Sequence, residues 1–298
     1  MIMNAAPDAL PRSSCDVSVI IPNWNCAELL VECLRSLSAT THRVAYEVTV
    51  VDNASTDDSV ARVRAEFPGF RLLVNAENRG FATACNQGLR AGVGRYALLL
   101  NNDTRLLDGC LDGLVAFMDE HPRTGAATAK QLDARDGSPL LPCATAFPTP
   151  RTLLMSRLVQ LLRLPQRAPH HHWWRRWTYH AYDPEVEHRA AHITGACFMI
   201  RREAIEQVGL MDEGYYLYLE ETDWCLRLQR AGWDIRYTPR ASYLHHLSAS
   251  GQLRTDREEL YYRSTCRFFE KHYGRWAVWM YRLQKGGFRL LKRAGGGV

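Results

Sequence analysis

Short apolar runs rich in β-branched residues alternate with helix-like patterns along the first 130 residues. Strands of this kind, buried on both faces, are typical of a sheet covered by helices on both sides. The pattern predicts strands at 16–21, 47–51, 70–74, 96–100 and 125–130, and helices at 26–38, from Ser55 or Thr56 onward, at 81–91 and at 106–120. We therefore expect an α/β protein with a mainly parallel, twisted sheet flanked by helices.

Polar residues follow the predicted strands at the points where they end. The run YALLLNNDTR carries an apolar strand directly into Asp103, and Asp52 ends another strand. In open α/β folds, ligands bind at the carboxyl edge of the sheet. A carboxylate there can hold a hard cation that also binds phosphates, although Asn and Asp after a strand are also common turn residues.

Composition excludes several classes of protein. No run approaches the roughly 18 apolar residues of a membrane-spanning helix, and the N-terminus lacks the pattern of a secretory signal. The nine cysteines form no C-x-x-C pair, which favours reduced thiols in a cytoplasmic protein over a zinc site or a disulfide framework. No G-x-G-x-x-G follows the first strand, so a dinucleotide site is disfavoured.

Seven segments in a fixed order carry a family resemblance: VSVIIPNWN, VVDNASTDDS, ENRGFATACNQG, LLLNNDT, ITGACFMIRREAIEQVGLMDE, YLYLEETDWCLRLQRAGW and PRASYLHH. Together, over residues 17–273, they resemble the inverting family 2 glycosyltransferases with the GT-A fold, and most of all their bacterial rhamnosyltransferase-like branch. The resemblance implies a dTDP-L-rhamnose donor and a glycan or polyprenyl-diphosphate-linked sugar acceptor, in cell-surface polysaccharide synthesis. A UDP-sugar donor (galactose, glucose or GlcNAc) and a non-catalytic nucleotide-sugar or membrane-binding module are the alternatives. A nucleotidyltransferase is disfavoured because no glycine-rich loop follows the first strand.

The donor site is expected at the carboxyl edge of the sheet. Mg2+ or Mn2+ would be held there by Asp103, in the position of the family's D-x-D-like motif, and by His245, which matches a metal-binding histidine of the family. Asp52 could instead cap a turn, Arg79 could be a surface cation, and His245 could be structural. The donor-binding residues implied are Pro22, Asn23, Asn25, Asp52, Asn78, Arg79, Gly80, Asn102, Asp103 and Gly195.

An inverting transfer needs a general base for the attacking hydroxyl. In the family pattern Glu-Asp-x-Asp the second acid is the base, and here that position is Glu221, one methylene longer than the usual Asp. Asp223 would cap the helix or orient its neighbours, although acids at a helix start are also stabilised by its dipole alone. The acceptor-binding residues implied are Glu220, Thr194 and Asp212.

The expected organisation is a flexible N-terminus (1–15), a GT-A domain (16–255) and a basic amphipathic C-terminal helix and tail (256–298). The domain would comprise a nucleotide-binding half (16–130), a variable insert (147–189) and an acceptor half (190–255). Basic and aromatic residues in 153–177 and 263–293 predict peripheral contact with the cytoplasmic face of the inner membrane, with packing on the core as the alternative. A homodimer is left open, and no nucleic-acid partner is expected. The four residues that would share one basic helix face are Arg263, Arg267, Lys271 and Arg275.

Overall fold

The computed structural model describes residues 15–144, 146–167, 183–247 and 256–294. Nearly all of the predicted flexible N-terminus lies outside the described residues. The run from His170 to Trp177, which carries part of the predicted membrane contact, also lies outside them.

A nine-stranded sheet forms the centre of the molecule, in the order β3-β2-β1-β4-β10-β6-β11-β5, with β8 paired to β11. The first four strands in this order are parallel, as predicted, whereas β10 runs antiparallel between β4 and β6 and makes the other half of the sheet mixed. The strands are β1 (Val17–Asn23), β2 (Tyr46–Asp52), β3 (Arg71–Val74), β4 (Tyr96–Leu100), β5 (Thr104–Leu106), β6 (Thr124–Asp133), β7 (Cys143–Ala144), β8 (His188–Arg189), β9 (His192–Ile193), β10 (Cys197–Arg201) and β11 (Asp234–His245), of which β7 and β9 form a separate pair.

Helices cover both faces of the sheet because successive strand side chains point to opposite sides. In β1, Val19 and Ile21 pack under α1 and α4, whereas Ile20 packs on the other face with residues of α3, α7 and α8. The helices are α1 (Ala27–Thr40), α2 (Ser59–Glu66), α3 (Phe81–Ala91), α4 (Cys110–Glu120), α5 (Pro150–Leu161), α6 (Leu164–Arg167), α7 (Arg202–Val208), α8 (Glu220–Arg230), α9 (Arg257–Tyr273) and α10 (Arg275–Ala294). A third apolar cluster joins α9 and α10 to the body of the protein.

Two predicted helix starts are wrong because long-range contacts use the residues concerned. Residues 104–106 form β5, which pairs antiparallel with β11, so α4 begins only at Cys110. Helix α2 begins at Ser59, and neither Ser55 nor Thr56 caps it. The Ser55 hydroxyl instead accepts hydrogen bonds from the backbone of Asn25 and the side chain of Asn23.

The predicted basic stripe at the C-terminus is also wrong. Gly274, with φ of +87°, ends α9, so Arg275 belongs to the next helix. Arg267 and Lys271 point back to the protein and each lies 2.7 Å from Asp212. Asp212 therefore fixes α9, and its predicted contact with the acceptor is not supported.

A buried cluster of charges also joins α9 to the first turn of α8. Asp223 is fully buried, and its carboxylate lies 2.7 Å from His272, 2.7 Å from Lys271 and 2.9 Å from Arg227. Burial opposes ionisation of this carboxyl, but the hydrogen bonds from His272 and Lys271 outweigh it and hold its pKa well below the usual range. Asp223 thus orients the helix that starts with Glu220 and Glu221, as its sequence position suggested.

Among the described residues, no helix is both long and apolar enough to cross a membrane.

The substitution Asp223→Asn tests this cluster. We expect a loss of about 3 kcal/mol in the free energy of unfolding, because breaking a buried ion pair leaves charges uncompensated. A folded-state pKa below the unfolded value of about 3.9 gives stability that is present above that pH and lost as the pH falls. The difference between the proteins in urea unfolding should therefore be full at neutral pH and shrink below about pH 4.

The matched control is Glu259→Gln, which breaks an exposed ion pair with Arg263 on the same helix α9. We expect it to change the free energy of unfolding by less than about 1 kcal/mol. Equal effects of the two substitutions would show that the Asp223 cluster does not hold α9 in place.

Candidate functional site

A pocket of about 360 Å³ opens at one edge of the sheet. The carboxyl ends of β1, β2, β4 and β11 meet there, and β10, which runs the other way, brings its amino end to the same edge. The wall is formed by Pro22, Asn23, Trp24, Asn53, Asn78, Gly80, Phe81, Asn101, Asn102, Asp103, Thr194, Gly195, Ala196, Tyr216, Leu217, Tyr218, Glu220, Glu221, His245 and Arg257.

Asp103 and His245 lie together in this wall, as the sequence predicts. The pairing of β5 with β11 sets Thr104 opposite His245, and the backbone N–H of His246 donates to the carbonyl of Asp103 at 2.9 Å. His245 Nε2 then lies 3.1 Å from Asp103 Oδ1, with both side chains almost wholly buried. The two residues are 142 positions apart, so only the fold brings them together.

Gln131 on β6 holds the ring of His245. The hydroxyl of Tyr243 donates to Gln131 Oε1 at 3.0 Å, and the side-chain amide of Gln131 lies 2.8 Å from His245 Nδ1. This chain orients Nε2 of the imidazole toward Asp103. No sequence pattern pointed to Gln131, because its contact with His245 depends on the pairing of β6 with β11.

The Asp103–His245 pair fits a divalent cation that is shared with a ligand. One carboxylate and one imidazole are suitable donors for Mn2+, and the carboxylate suits Mg2+ as well. Within the described ranges, no cluster of three His, Cys, Asp or Glu side chains could hold a metal. A cation held by Asp103 and His245 would therefore take its remaining oxygen ligands from a bound phosphate and water.

A hydrogen-bonded network supports the end of the pocket formed by β1 and β2. Asn23 Nδ2 donates to Asp52 Oδ1 at 2.9 Å, and Asn102 Nδ2 donates to Asn23 Oδ1 at 2.7 Å. Asp52 is buried and accepts a further hydrogen bond from the backbone N–H of Ser55. The next residue, Asn53, lines the pocket, whereas Asp52 does not. In this structure Asp52 fixes the strand ends, which is the turn-capping alternative raised by the sequence.

Two other predicted donor residues lie away from the wall. The side chain of Asn25 accepts a hydrogen bond from the backbone N–H of Thr56 at 2.7 Å, so it ties two loops together. Arg79 is exposed on the surface, which matches the surface-cation alternative.

Two glycines bring the walls of the pocket close together. Gly80 has φ of +83°, and a Cβ there would lie 2.5 Å from the carbonyl oxygen of Tyr216. The backbone N–H of Phe81 donates to that same oxygen at 2.9 Å. A Cβ on Gly195 would lie 3.2 Å from the ring of Phe81, so this glycine also serves close packing. Asn78 accepts a hydrogen bond from the N–H of Gly80 and shapes the turn.

Glu220 and Glu221 enter the pocket at the start of α8. The two preceding residues, Tyr218 and Leu219, have φ of +73° and +65°, a left-handed conformation that is strained for such side chains and recurs at functional sites. Glu220 is buried, and its Oε2 has no hydrogen-bond partner among the described residues. Burial, and then the neighbouring Glu221, raises the pKa of Glu220 well above its usual value.

Glu221 is the second acid at the start of α8. Burial raises the pKa of its carboxyl to about 7, which is close to the pH at which a base works best. It shares the pocket with Asp103 and His245, and Thr194 lies in the same wall. The pocket therefore brings Glu221 into the same wall as the Asp103–His245 pair.

Sequence reasoning missed several aromatic and charged residues of the wall. Trp24 directly follows the end of β1, and Phe81 directly follows Gly80. Both lie next to residues that were predicted to bind the donor, so their positions in the sequence could have indicated them. The wall residues missed in this way are Trp24, Phe81, Tyr216, Tyr218 and Arg257. Arg257 had no signal, because only folding brings the start of α9 to the pocket.

Residues 18–209 match the family described as glycosyl transferase family 2. The chain is 32% identical over 262 residues to an N-acetylglucosaminyl-diphospho-decaprenol L-rhamnosyltransferase of Mycobacterium tuberculosis, covering 82% of this chain and 80% of that protein. It is also 27% identical to the O-antigen biosynthesis protein RfbC of Myxococcus xanthus, over 80% of this chain and 18% of the other.

Solved structures share the fold. The mannosyltransferase PcManGT of Pyrobaculum calidifontis, in complex with GDP-Man and Mn2+, is 18% identical with a TM-score of 0.54, over 98% of this chain and 79% of that chain. GalNAc-T7 with UDP, GalNAc and Mn2+ is 17% identical with a TM-score of 0.57, over 78% of this chain and 44% of that chain. The chain belongs to glycosyl transferase family 2 and is a glycosyltransferase with the GT-A fold.

Proposed function

We propose that this glycosyltransferase moves L-rhamnose from dTDP-L-rhamnose to a hydroxyl of a lipid-diphosphate-linked sugar or glycan, with inversion at the anomeric carbon. The observation that carries the proposal is the pocket that holds both Glu221 and the Asp103–His245 pair. The choice of rhamnose and of a lipid-linked acceptor is supported by the named activity of the mycobacterial relative. A UDP-sugar is the second candidate donor, since GalNAc-T7 was solved with UDP.

The donor would bind along the sheet edge. Its nucleotide would lie near Pro22, Asn23 and Asn53, and its diphosphate near Asp103 and His245. A divalent cation held by Asp103 and His245 would neutralise charge on the diphosphate leaving group. Two structures with the same fold were solved with Mn2+, which supports a divalent cation.

Glu221 would accept the proton of the attacking hydroxyl. As the bond from the acceptor oxygen to the anomeric carbon forms, the bond to the diphosphate oxygen breaks, and the proton passes to the Glu221 carboxylate. Attack from the face opposite the leaving group inverts the configuration. The raised pKa of Glu220 favours its protonated form, and in that form Glu220 can donate a hydrogen bond to a sugar oxygen in the same pocket.

The substitution Glu221→Gln tests the base. We expect kcat to fall by about 10³-fold or more while donor affinity is kept, because Gln cannot accept the proton. In the unsubstituted enzyme kcat/KM should rise with pH through about 7, since the base must be ionised. Glu221→Asp keeps a carboxylate and should retain more activity than Gln.

The matched control is Glu203→Gln, an exposed glutamate in the first turn of α7, which we expect to leave kcat unchanged. Near-normal turnover of Glu221→Gln would remove Glu221 as the base. That result would not count against the proposed donor site.

A thermal-shift panel tests donor and metal together. The protein would be melted with dTDP-rhamnose, UDP-galactose, UDP-glucose, UDP-GlcNAc and GDP-mannose, each with Mn2+, Mg2+ or EDTA. We expect dTDP-rhamnose to raise the melting temperature, and EDTA to abolish the shift, because a ligand that binds the native state stabilises it. Asp103→Ala should lose the metal-dependent part of the shift.

Asp108→Ala, which removes an exposed carboxylate close in sequence, is the control and should behave as the unsubstituted protein. A larger shift with a UDP-sugar would replace rhamnose as the donor. A full shift in EDTA would reject the role of Asp103 in metal binding.

We further propose that α10 attaches the enzyme to anionic lipid. Trp276, Trp279 and Leu283 recur on one helix face and are more than half exposed. Arg275 and Arg282 on the same helix are exposed cations, which suit a negatively charged headgroup layer. The expected position at the cytoplasmic face of the inner membrane and the homodimer stay predictions.

Co-sedimentation with vesicles tests this attachment. The protein should bind phosphatidylglycerol vesicles, less so at high salt, and bind phosphatidylcholine vesicles weakly. The double substitution Trp276→Ala and Trp279→Ala should reduce the bound fraction severalfold, whereas Val186→Ala, which removes an exposed apolar side chain elsewhere, should not. Equal binding of both variants would reject α10 as the contact.

A further inference from the structure

We propose that Arg257 binds a diphosphate group of the substrates and fixes it beside the base. This inference rests on the proposed function of the pocket. It adds a residue that no sequence motif singled out and that lies outside the stretch matched by the family.

Charge in the pocket wall leads to this assignment. The wall carries the carboxyl groups of Asp103, Glu220 and Glu221. Among wall residues in the part of the chain that the structure describes, Arg257 is the only arginine or lysine. A diphosphate leaving group gains negative charge as its bond to the sugar breaks. A cation in addition to the metal would stabilise that charge where it develops.

Arg257 is exposed, and a hydrogen bond joins its guanidinium to another residue of the pocket wall. Its Nε donates to the hydroxyl of Tyr218 at 3.2 Å. That bond uses Nε–H alone, and an arginine presents four further N–H groups in a planar fork that matches two phosphate oxygens. Arg257 is the first residue of α9, so its backbone is part of a regular helix.

The turn that carries Tyr218 is fastened to α9. The hydroxyl of Ser264 donates to the carbonyl of Leu217 at 2.8 Å, and the ring of Tyr218 meets that of Tyr261 edge to face, with centroids 5.9 Å apart. This turn keeps its left-handed conformation and leads directly into Glu221. Arg257 and the base therefore have fixed positions relative to each other.

Two substrates can supply the diphosphate. The donor carries one between nucleoside and sugar, and a lipid-diphosphate-linked acceptor carries another. Both present the same chemistry to an arginine fork. The experiment therefore has one arm for each source.

The variants are Arg257→Ala, Arg257→Lys and the control Arg263→Ala, which removes an exposed arginine of the same helix. All four proteins should first show the same melting temperature without ligand. Calorimetry would then measure binding of dTDP, UDP and inorganic diphosphate, each with Mn2+. Steady-state kinetics would compare a lipid-diphosphate-linked sugar with the same sugar on an uncharged alkyl chain.

A donor contact predicts that Arg257→Ala weakens nucleoside diphosphate binding by about 10- to 100-fold, the range for a hydrogen bond to a charged group. Arg257→Lys should recover part of this loss, and Arg263→Ala should show none. An acceptor contact predicts unchanged nucleotide binding and a KM that rises about tenfold for the diphosphate-linked acceptor only. Either result supports the proposal and names the source.

The proposal is overturned if Arg257→Ala binds nucleotide and inorganic diphosphate normally and keeps the preference for the charged acceptor. Failure of the proposed function looks different, because the unsubstituted protein would then bind no nucleotide. In that case, loss of inorganic diphosphate binding in Arg257→Ala would still support the role of Arg257. Absence of any diphosphate binding to the unsubstituted protein would overturn it.

Discussion

The pairing of β5 with β11 is the contact on which the site depends. Three residues that follow Asp103 form a short strand, and that strand fixes the position of Asp103 against His245. Without it Asp103 would lie on a loop that no strand pairing holds against His245, which β6 pairs with from its other side. A short antiparallel addition to the sheet thus brings together two residues that are far apart in sequence.

The sequence was informative where local pattern decides structure. The first four strands were predicted within two residues, because continuous apolar runs between turns specify buried strands. Strand β6 runs three residues further than predicted, and β5 was not predicted. The sheet-edge position of Asp103, Glu221 and His245 in one pocket was also predicted. This prediction followed from the polar residues at the ends of the predicted strands and from the order of the segments that resemble the family.

The sequence was uninformative where a contact joins distant elements. Basic residues at every fourth position predicted a basic stripe on the surface, yet Arg267 and Lys271 form ion pairs with Asp212. Periodicity identifies the residues that share a helix face but does not show what that face contacts. The contacts of Gln131 with His245 and of His272 with Asp223 depend on strand register and helix docking. Helix α4 starts late for the same reason, since pairing with β11 overrides local helix propensity.

Helix α9 connects two parts of the molecule that face different surroundings. Arg257 at its start lies in the pocket wall, and Gly274 after its end leads into α10 with its exposed tryptophans. Seventeen residues at 1.5 Å each make this helix about 26 Å long. Because Asp223 and Asp212 hold it against the body, α9 acts as a rigid spacer between α10 and the base. If α10 rests on a lipid surface, the tilt of α9 sets the distance between that surface and the pocket, and therefore how far from the lipid the acceptor hydroxyl must lie.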